Sequence, residues 1–368
     1  MQQTNYSTHF MSFLCLLTSA HLCVASQNTV IATMNAGVNP AGIAVKHDGH
    51  KAYVANNNNY GIAGQDSVTV LDLENNTVIT TIHDNSFNQP YTVSLNHKGK
   101  KAYVTNSNST TITIIDTKTN EVIGTIDGFD GPSGMAIIPP KKKIAYVNNY
   151  GGPEGVGSGN GTTVSVVDLK TNTIIDTITV GQAPAALAAS HDGKHVYVIN
   201  YVDGNPGHGT MSIIDVRTNT VTDTVTGFSG PFAIAITPDN KYAYVTNFGS
   251  NNFAPFGTTV SVVKLHCRPK IVKTIDLESI QPSGIAITPN GDFAYVTNYN
   301  TLYAGVDFTN LTAGQGTVNI IDIDKKEVVP PTIVVGQSPD SIAISHDGKF
   351  AYVTNYTSNT VSVIQLKE

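Results

Sequence analysis

Ala102-Tyr103-Val104-Thr105-Asn106 recurs letter for letter at 243–247, 294–298 and 351–355. Close variants stand at Ala52-Tyr53-Val54-Ala55-Asn56, Ala145-Tyr146-Val147-Asn148-Asn149 and Val196-Tyr197-Val198-Ile199-Asn200. The seven tyrosines are 50, 43, 51, 47, 51 and 57 residues apart. A short element returning at this period marks a repeat architecture, in which each unit buries its apolar face only against its neighbours.

Around each pentapeptide the same four segments return. Before it comes a Pro-x-Gly/Ala-Ile-Ala-Ile run, as in Pro282-Ser283-Gly284-Ile285-Ala286-Ile287, and a turn such as His191-Asp192-Gly193. After it come a loop of variable length, a run such as Thr163-Val164-Ser165-Val166-Val167-Asp168, and a Lys-Thr-Asn turn into a last run such as Thr173 to Ile178. Each segment is short, β-branched and bounded by Gly, Asn, Asp or Pro, which is the signature of strands and hairpins. No segment holds a 3.6-residue apolar period, so no helix is expected between residues 27 and 368. Four antiparallel strands per repeat, seven times over, predict an all-β, seven-bladed β-propeller in one domain over 27–368. Asn28 to Met34 reads like a fourth segment, whereas Thr360 to Ile364 is a third segment with none after it. The N-terminal strand is therefore expected to complete the last blade and close the ring.

Only 13% of the residues are charged and Trp is absent. Residues 1–26 carry no Lys, Arg, Asp or Glu, and Phe10 to Ala25 is mostly apolar before the small residues at Val24-Ala25-Ser26. This predicts a signal peptide over 1–26 and a periplasmic, extracellular or cell-surface location, with no membrane span after cleavage. Cys267 alone would then remain of the three cysteines, so packing rather than an internal disulfide must hold the fold.

The pentapeptide and its surroundings resemble the YVTN-repeat family of β-propellers, found in exported bacterial and archaeal proteins and in surface-layer proteins. The resemblance covers residues 28–368 and implies the fold. Relatives include surface-layer components, periplasmic binding proteins, cofactor-free subunits of amine dehydrogenases and lactonase-like enzymes, and fold does not choose among these.

Charge sorts by face. In an antiparallel blade, the turns after the first and third segments fall on one face and the loops after the second and fourth on the other. All 21 Lys and Arg belong to the first face or to strand ends beside it. The second face carries Asp66, Asp84, Asp127, Asp130, Glu154, Asp203, Asp276, Glu278, Asp307 and Asp340, together with the long insertions 57–66, 150–162, 201–209, 248–258 and 299–316. These insertions hold aromatics including Tyr60, Phe253, Phe256, Tyr303 and Phe308, and long loops on a rigid scaffold are usual places for binding. The alternative is that they only solubilise the protein, with the aromatics packed beneath their own loops. The strongest binding candidates are Tyr150, Tyr201, Phe248, Tyr299 and Tyr356, which follow the motif Asn in five blades; an architectural capping role would fit the same positions.

The first segments should line the channel, with Ala41, Tyr91, Ser133, Ala185, Phe232, Ser283 and Asp340 as the outer ring. Tyr91 and Asp340 are candidates at its mouth. That ring and the next hold one carboxylate and no His or Arg, and no nucleophile–base pair or ligand set converges there. His47, His97, His191 and His346 occupy one turn position in four blades and are expected to be too far apart around the ring to share one metal. Neither Asp66 and Asp307 nor Asp203 with His208 has calcium-loop spacing. Gly155 to Gly159 lacks a phosphate-loop lysine and precedes a strand. Interleaved Asp residues dilute the basic turns, so no nucleic acid is expected. The sequence therefore predicts an exported binding or interaction module without a cofactor or metal. Its partner would be a protein or carbohydrate on the acidic loop face; the alternative is a lactonase-like enzyme or a cofactor-free subunit of a periplasmic dehydrogenase.

Overall fold

A computed structural model describes residues 28–58, 64–139, 143–151, 159–202, 206–249, 256–300 and 315–367. The expected signal peptide, Tyr60, Glu154, Asp203, Phe253, Tyr303, Asp307 and Phe308 lie outside the described residues. Within the described residues there are seven four-stranded antiparallel sheets and no helix. The sheets are the blades, and consecutive innermost strands pack on one another around the ring, including those of blades 7 and 1. The innermost strands are Pro40–Val45, Pro90–Leu95, Pro132–Ile137, Pro184–Ala189, Pro231–Ile236, Pro282–Ile287 and Pro339–Ile344, one for each of blades 1 to 7.

Burial changes with radius. The second strands, which carry the pentapeptide, are buried almost throughout, as at Phe293–Asn298. The fourth strands are mostly exposed or half-buried, as at Thr173–Thr179, where only Ile178 is buried. The apolar side chains gather in seven clusters, one at each blade–blade interface. At the interface of blades 4 and 5, Tyr197, Met211, Ile213 and Phe228 meet Ile236, Val245 and Leu265. Each blade thus completes its neighbour's core, which is why no repeat is stable alone.

Three letters of the motif carry polar links between strands. The tyrosine hydroxyl crosses to the turn between the third and fourth strands of the next blade. Tyr53 donates to Asn120 Oδ1 at 2.7 Å and Tyr146 to Asn219 Oδ1 at 2.6 Å. Those asparagines hold positive φ, a conformation Asn tolerates better than most residues. The motif asparagine spans to the third strand of its own blade: Asn355 Nδ2 donates to Thr360 Oγ1 and Ser362 Oγ at 3.0 and 2.9 Å. The threonine sits at the inner edge, where the candidate site begins.

The ring closes as the sequence predicts. Thr29–Asn35 pairs antiparallel with Thr360–Gln365 and is the fourth strand of blade 7. Asn28 takes the place of the turn asparagine: its Oδ1 accepts the Tyr295 hydroxyl at 2.8 Å and the Lys367 amide at 3.1 Å.

Candidate functional site

Every innermost strand opens on a proline, whose missing N–H suits a strand's first position, and the pairing slips just after it. In blade 7, Pro339 pairs with Asn355 and Ile342 with Val353, leaving Asp340 and Ser341 opposite Thr354 alone. The same bulge sets Tyr91 and Thr92 against Thr105, and Phe232 and Ala233 against Thr246. A bulge re-aims the side chain it carries. Here the motif threonine repairs the broken ladder. Thr354 Oγ1 accepts the Ser341 amide at 3.0 Å and donates to the Ala41 carbonyl of blade 1 at 2.6 Å. Thr246 accepts from Ala233 and donates to Ser283 O, both at 2.9 Å. The repeated Thr thus fixes both the bulge and the neighbouring blade. Gly284 lets blade 7 come close: a Cβ there would lie 2.8 Å from the Asp340 carbonyl.

The bulge residues meet the residues that follow the motif asparagine. Phe232 stacks on Phe248, with centroids 5.1 Å apart; Phe248 meets Tyr299 edge-on at 6.1 Å; Tyr299 meets Tyr356 at 6.3 Å. Such separations are favourable for aromatic pairs. An unbroken aromatic wall therefore crosses blades 5, 6 and 7. From blade 2, Tyr91 comes close enough to Asp340, Tyr150, Tyr299 and Tyr356 that their charges would oppose its own. Residues more than 200 positions apart in the chain share one mouth.

The surroundings of this mouth disfavour charge. Burial pushes the Asp340 carboxyl up to about 7, with no donor or cation lowering it. Among the described residues, hydrogen bonding at Asp340 runs through its main-chain oxygen, which Thr297 Oγ1 reaches at 3.5 Å. Burial, then Asp340, push the Tyr91 hydroxyl well above its ordinary range. Both residues are half-buried. Around them, Asp84, Asp127, Asp130, Asp276 and Glu278 are exposed on the same face. Most described Lys and Arg lie in the turns and strand ends of the opposite face, where turn carboxylates bind several of them, as in Lys241 with Asp239 at 3.0 Å; Lys273 lies mid-strand and pairs with Glu327 at 3.6 Å.

The structure brings together Tyr91, Tyr150, Phe248, Tyr299, Tyr356 and Asp340. Tyr201 differs. Like Phe248 it is buried, but its hydroxyl donates to Gly249 O of the next blade at 2.6 Å, so it buttresses blades 4 and 5. Two residues of the expected outer ring are also turned away. Ser283 Oγ donates to Pro339 O at 2.7 Å, and Ser133 Oγ accepts Asn148 Nδ2 at 2.7 Å. Phe232 joins the wall, although the sequence places it only on the ring. Its being one of two aromatics at that ring position, with Tyr91, is the signal that marks it. His47 and His346, expected to stand far apart, meet across the junction of blades 1 and 7 with ring centroids 3.8 Å apart, yet among the described residues no three of His, Cys, Asp and Glu come together as a metal site.

Known proteins agree with this architecture. Residues 19–139 match the family model described as Lactonase, 7-bladed beta-propeller. A seven-bladed β-propeller protein of Mycobacterium tuberculosis, Rv1057, is 30% identical over 146 residues, covering 39% of this chain. That match spans 33% of the length of the mycobacterial protein. Among solved structures, Kuenenia stuttgartiensis hydrazine synthase superposes with a TM-score of 0.73 at 22% identity, covering 89% of this chain and 96% of that one. A chain of a mitotic checkpoint complex does so with 0.71 at 14% identity, covering 99% of this chain and 100% of that one. Identities this low carry the fold alone. The chain is a seven-bladed β-propeller, similar in its N-terminal third to the Lactonase family model.

Proposed function

We propose that this propeller is an exported binding module of the YVTN-repeat type, taking its ligand at the channel mouth on the acidic face. The observation that carries this reading is the continuous wall Phe232–Phe248–Tyr299–Tyr356 standing over Tyr91 and one carboxylate. A mostly aromatic lining with few polar groups is the usual make-up of a ligand site. The wall is built on strand ends and bulges locked by the motif threonines, so it is preorganised. The test is a thermal-shift panel of neutral oligosaccharides, amines and basic peptides on the wild type and Tyr356→Ala. At least one class should raise the melting temperature of the wild type and not of the variant. Equal shifts in both proteins would place binding elsewhere.

A second reading, a lactonase-like hydrolase, draws on the family match over 19–139 and on a carboxyl poised near 7, suited to general-base work. Against it, the described mouth holds no cationic group to stabilise an oxyanion. The two readings part on Asp340→Asn: a hydrolase loses lactone turnover at unchanged KM, whereas a binding module has no turnover to lose.

A further inference from the structure

We propose that the occupant of this mouth is an organic ammonium ion with alkyl substituents, its cationic head against the aromatic wall and beside the Asp340 carboxylate. The inference rests on the reading of the mouth as a binding site and names the chemistry that site selects.

Three observations converge. Four aromatic rings are in contact across three blades, with Phe248 buried and Phe232, Tyr299 and Tyr356 partly exposed, and Tyr91 and Tyr150 close by. Ring faces attract cations, most strongly where water is displaced, and clusters of such rings are how proteins hold alkylated ammonium groups. Next, Asp340 is a carboxylate to which the described residues offer no donor and no counter-charge. Burying such a group is unfavourable until a cation arrives. Third, the exposed acids of this face and the basic turns of the other set up a field that draws cations toward the mouth and repels anions.

The competing ligand classes fit less well. An anion would meet Asp340 and no Lys or Arg among the described residues. A neutral sugar needs several side-chain donors and acceptors to replace its water. The ring that would supply them has Ala41 buried, Ser133 engaged by Asn148 of its own blade and Ala185 O of the next, Ser283 committed to Pro339 O of the next blade, and Ala185 and Phe232 apolar. A primary ammonium wants about three acceptors, whereas an alkylated one wants fewer and brings apolar surface that suits the wall. Binding is also linked to pH. The titratable groups around the site are Asp340 itself and Tyr91, Tyr150, Tyr299 and Tyr356; the Asp340 carboxyl stands at about 7, and burial pushes the Tyr91 and Tyr150 hydroxyls up. A cation favours its ionised form, so affinity rises with pH.

The experiment is calorimetric titration of the full chain with choline and with its uncharged carbon isostere, 3,3-dimethylbutan-1-ol. Choline should saturate one site, and the isostere should bind about tenfold more weakly or less. Asp340→Asn and Phe248→Leu should each weaken choline by about tenfold. The melting temperature of each variant checks that it is folded. Affinity should rise by up to about tenfold from pH 6 to pH 8 in the wild type and stay flat in Asp340→Asn. Equal binding of choline and the isostere would overturn the cation assignment while leaving the mouth a binding site. So would an unchanged choline affinity in both variants, or no choline binding when another panel class stabilises the protein through Tyr356. No stabilisation by any class would remove both readings together.

Discussion

Asp239, in the turn after the innermost strand of blade 5, and Asp340, on the innermost strand of blade 7, are one kind of side chain at opposite ends of the channel wall. Asp239 is solvated and well supplied. It accepts the Thr237 hydroxyl at 2.7 Å, the Lys241 amide at 3.0 Å and the Lys241 ammonium at 3.0 Å. Against a desolvation penalty that pushes the other way, these bonds hold its carboxyl down at about 2. Asp340 has the desolvation without the donors, and its carboxyl stands near 7. The same turn chemistry recurs at Asp48, Asp192 and Asp347, each held below the usual carboxylate range despite partial burial. The repeat thus builds satisfied carboxylates on one face, and the other carries an unsatisfied one. The first kind serves the fold. The second opposes it and is the mark of a site.

The harshest way to break the comparison is to unmoor the blade that carries Asp340. Deleting residues 28–36 removes the fourth strand of blade 7, with Met34 and its contacts to Val361 and Leu71, and the partner of Tyr295. The melting temperature should fall by about 10 °C or more; an unchanged melting curve would refute the closure.

Asp340→Asn sharpens the comparison. The wild-type carboxyl titrates higher folded than unfolded, so its stability contribution is whole below about pH 4 and is lost as pH rises through about 7. The variant should therefore match the wild type at pH 4 and exceed it at pH 8, with about 4 kcal/mol as the ceiling for a shift of this size. Denaturant melts at the two pH values read this directly, and a variant less stable at pH 8 would contradict it.

Thr354→Val removes the hydroxyl that serves the Ser341 amide and the Ala41 carbonyl while keeping the shape. A loss of about 1–3 kcal/mol is expected, with weaker ligand binding because the Asp340 bulge loosens. Blade 1 has Ala55 at this position and Ala41 in place of a functional side chain. Ala55→Thr should therefore leave binding untouched. If Thr354→Val binds as the wild type does, the bulge is positioned by something else.

The smallest effect belongs to Asp239→Asn. Its carboxyl titrates lower folded than unfolded, so its contribution is present above about pH 4 and is lost as pH falls through about 2. Because the pair is half exposed, solvent screening limits the loss at pH 7 to about 1 kcal/mol or less. The difference from wild type should vanish in acid melts, the mirror image of Asp340→Asn.

The fold is legible in the sequence because one pentapeptide returns at a fixed place in every blade, and each role its letters carry, where the letter is kept, is local or involves the next blade only. Ring closure is legible for the same reason, since Asn28 to Met34 repeats a fourth strand. The mouth is only partly so. The residues following the motif asparagine are visible as a series, but whether one turns inward depends on a partner in the next blade. The Tyr201 hydroxyl bonds the Gly249 carbonyl, whereas Phe248, Tyr299 and Tyr356 meet aromatic rings instead. The meeting of Tyr91 with Asp340 and the stacking of Phe232 on Phe248 arise from curvature and bulge geometry, which no residue pattern states.

The bond from Tyr295 to Asn28 has a consequence for the order in which the molecule assembles. Hairpins within blades 1 to 6 join residues a few tens of positions apart and can form independently as the chain explores local contacts. Tyr295 finds its acceptor, and Lys367 the same oxygen, only when the first described strand meets the last. That contact spans nearly the whole chain and has the largest loop entropy to overcome. Until it forms, blade 7 presents an unpaired third-strand edge, open to a second copy's N-terminal strand as much as to its own. Dilution during refolding should therefore favour closed monomers, and crowded refolding should favour strand-exchanged chains.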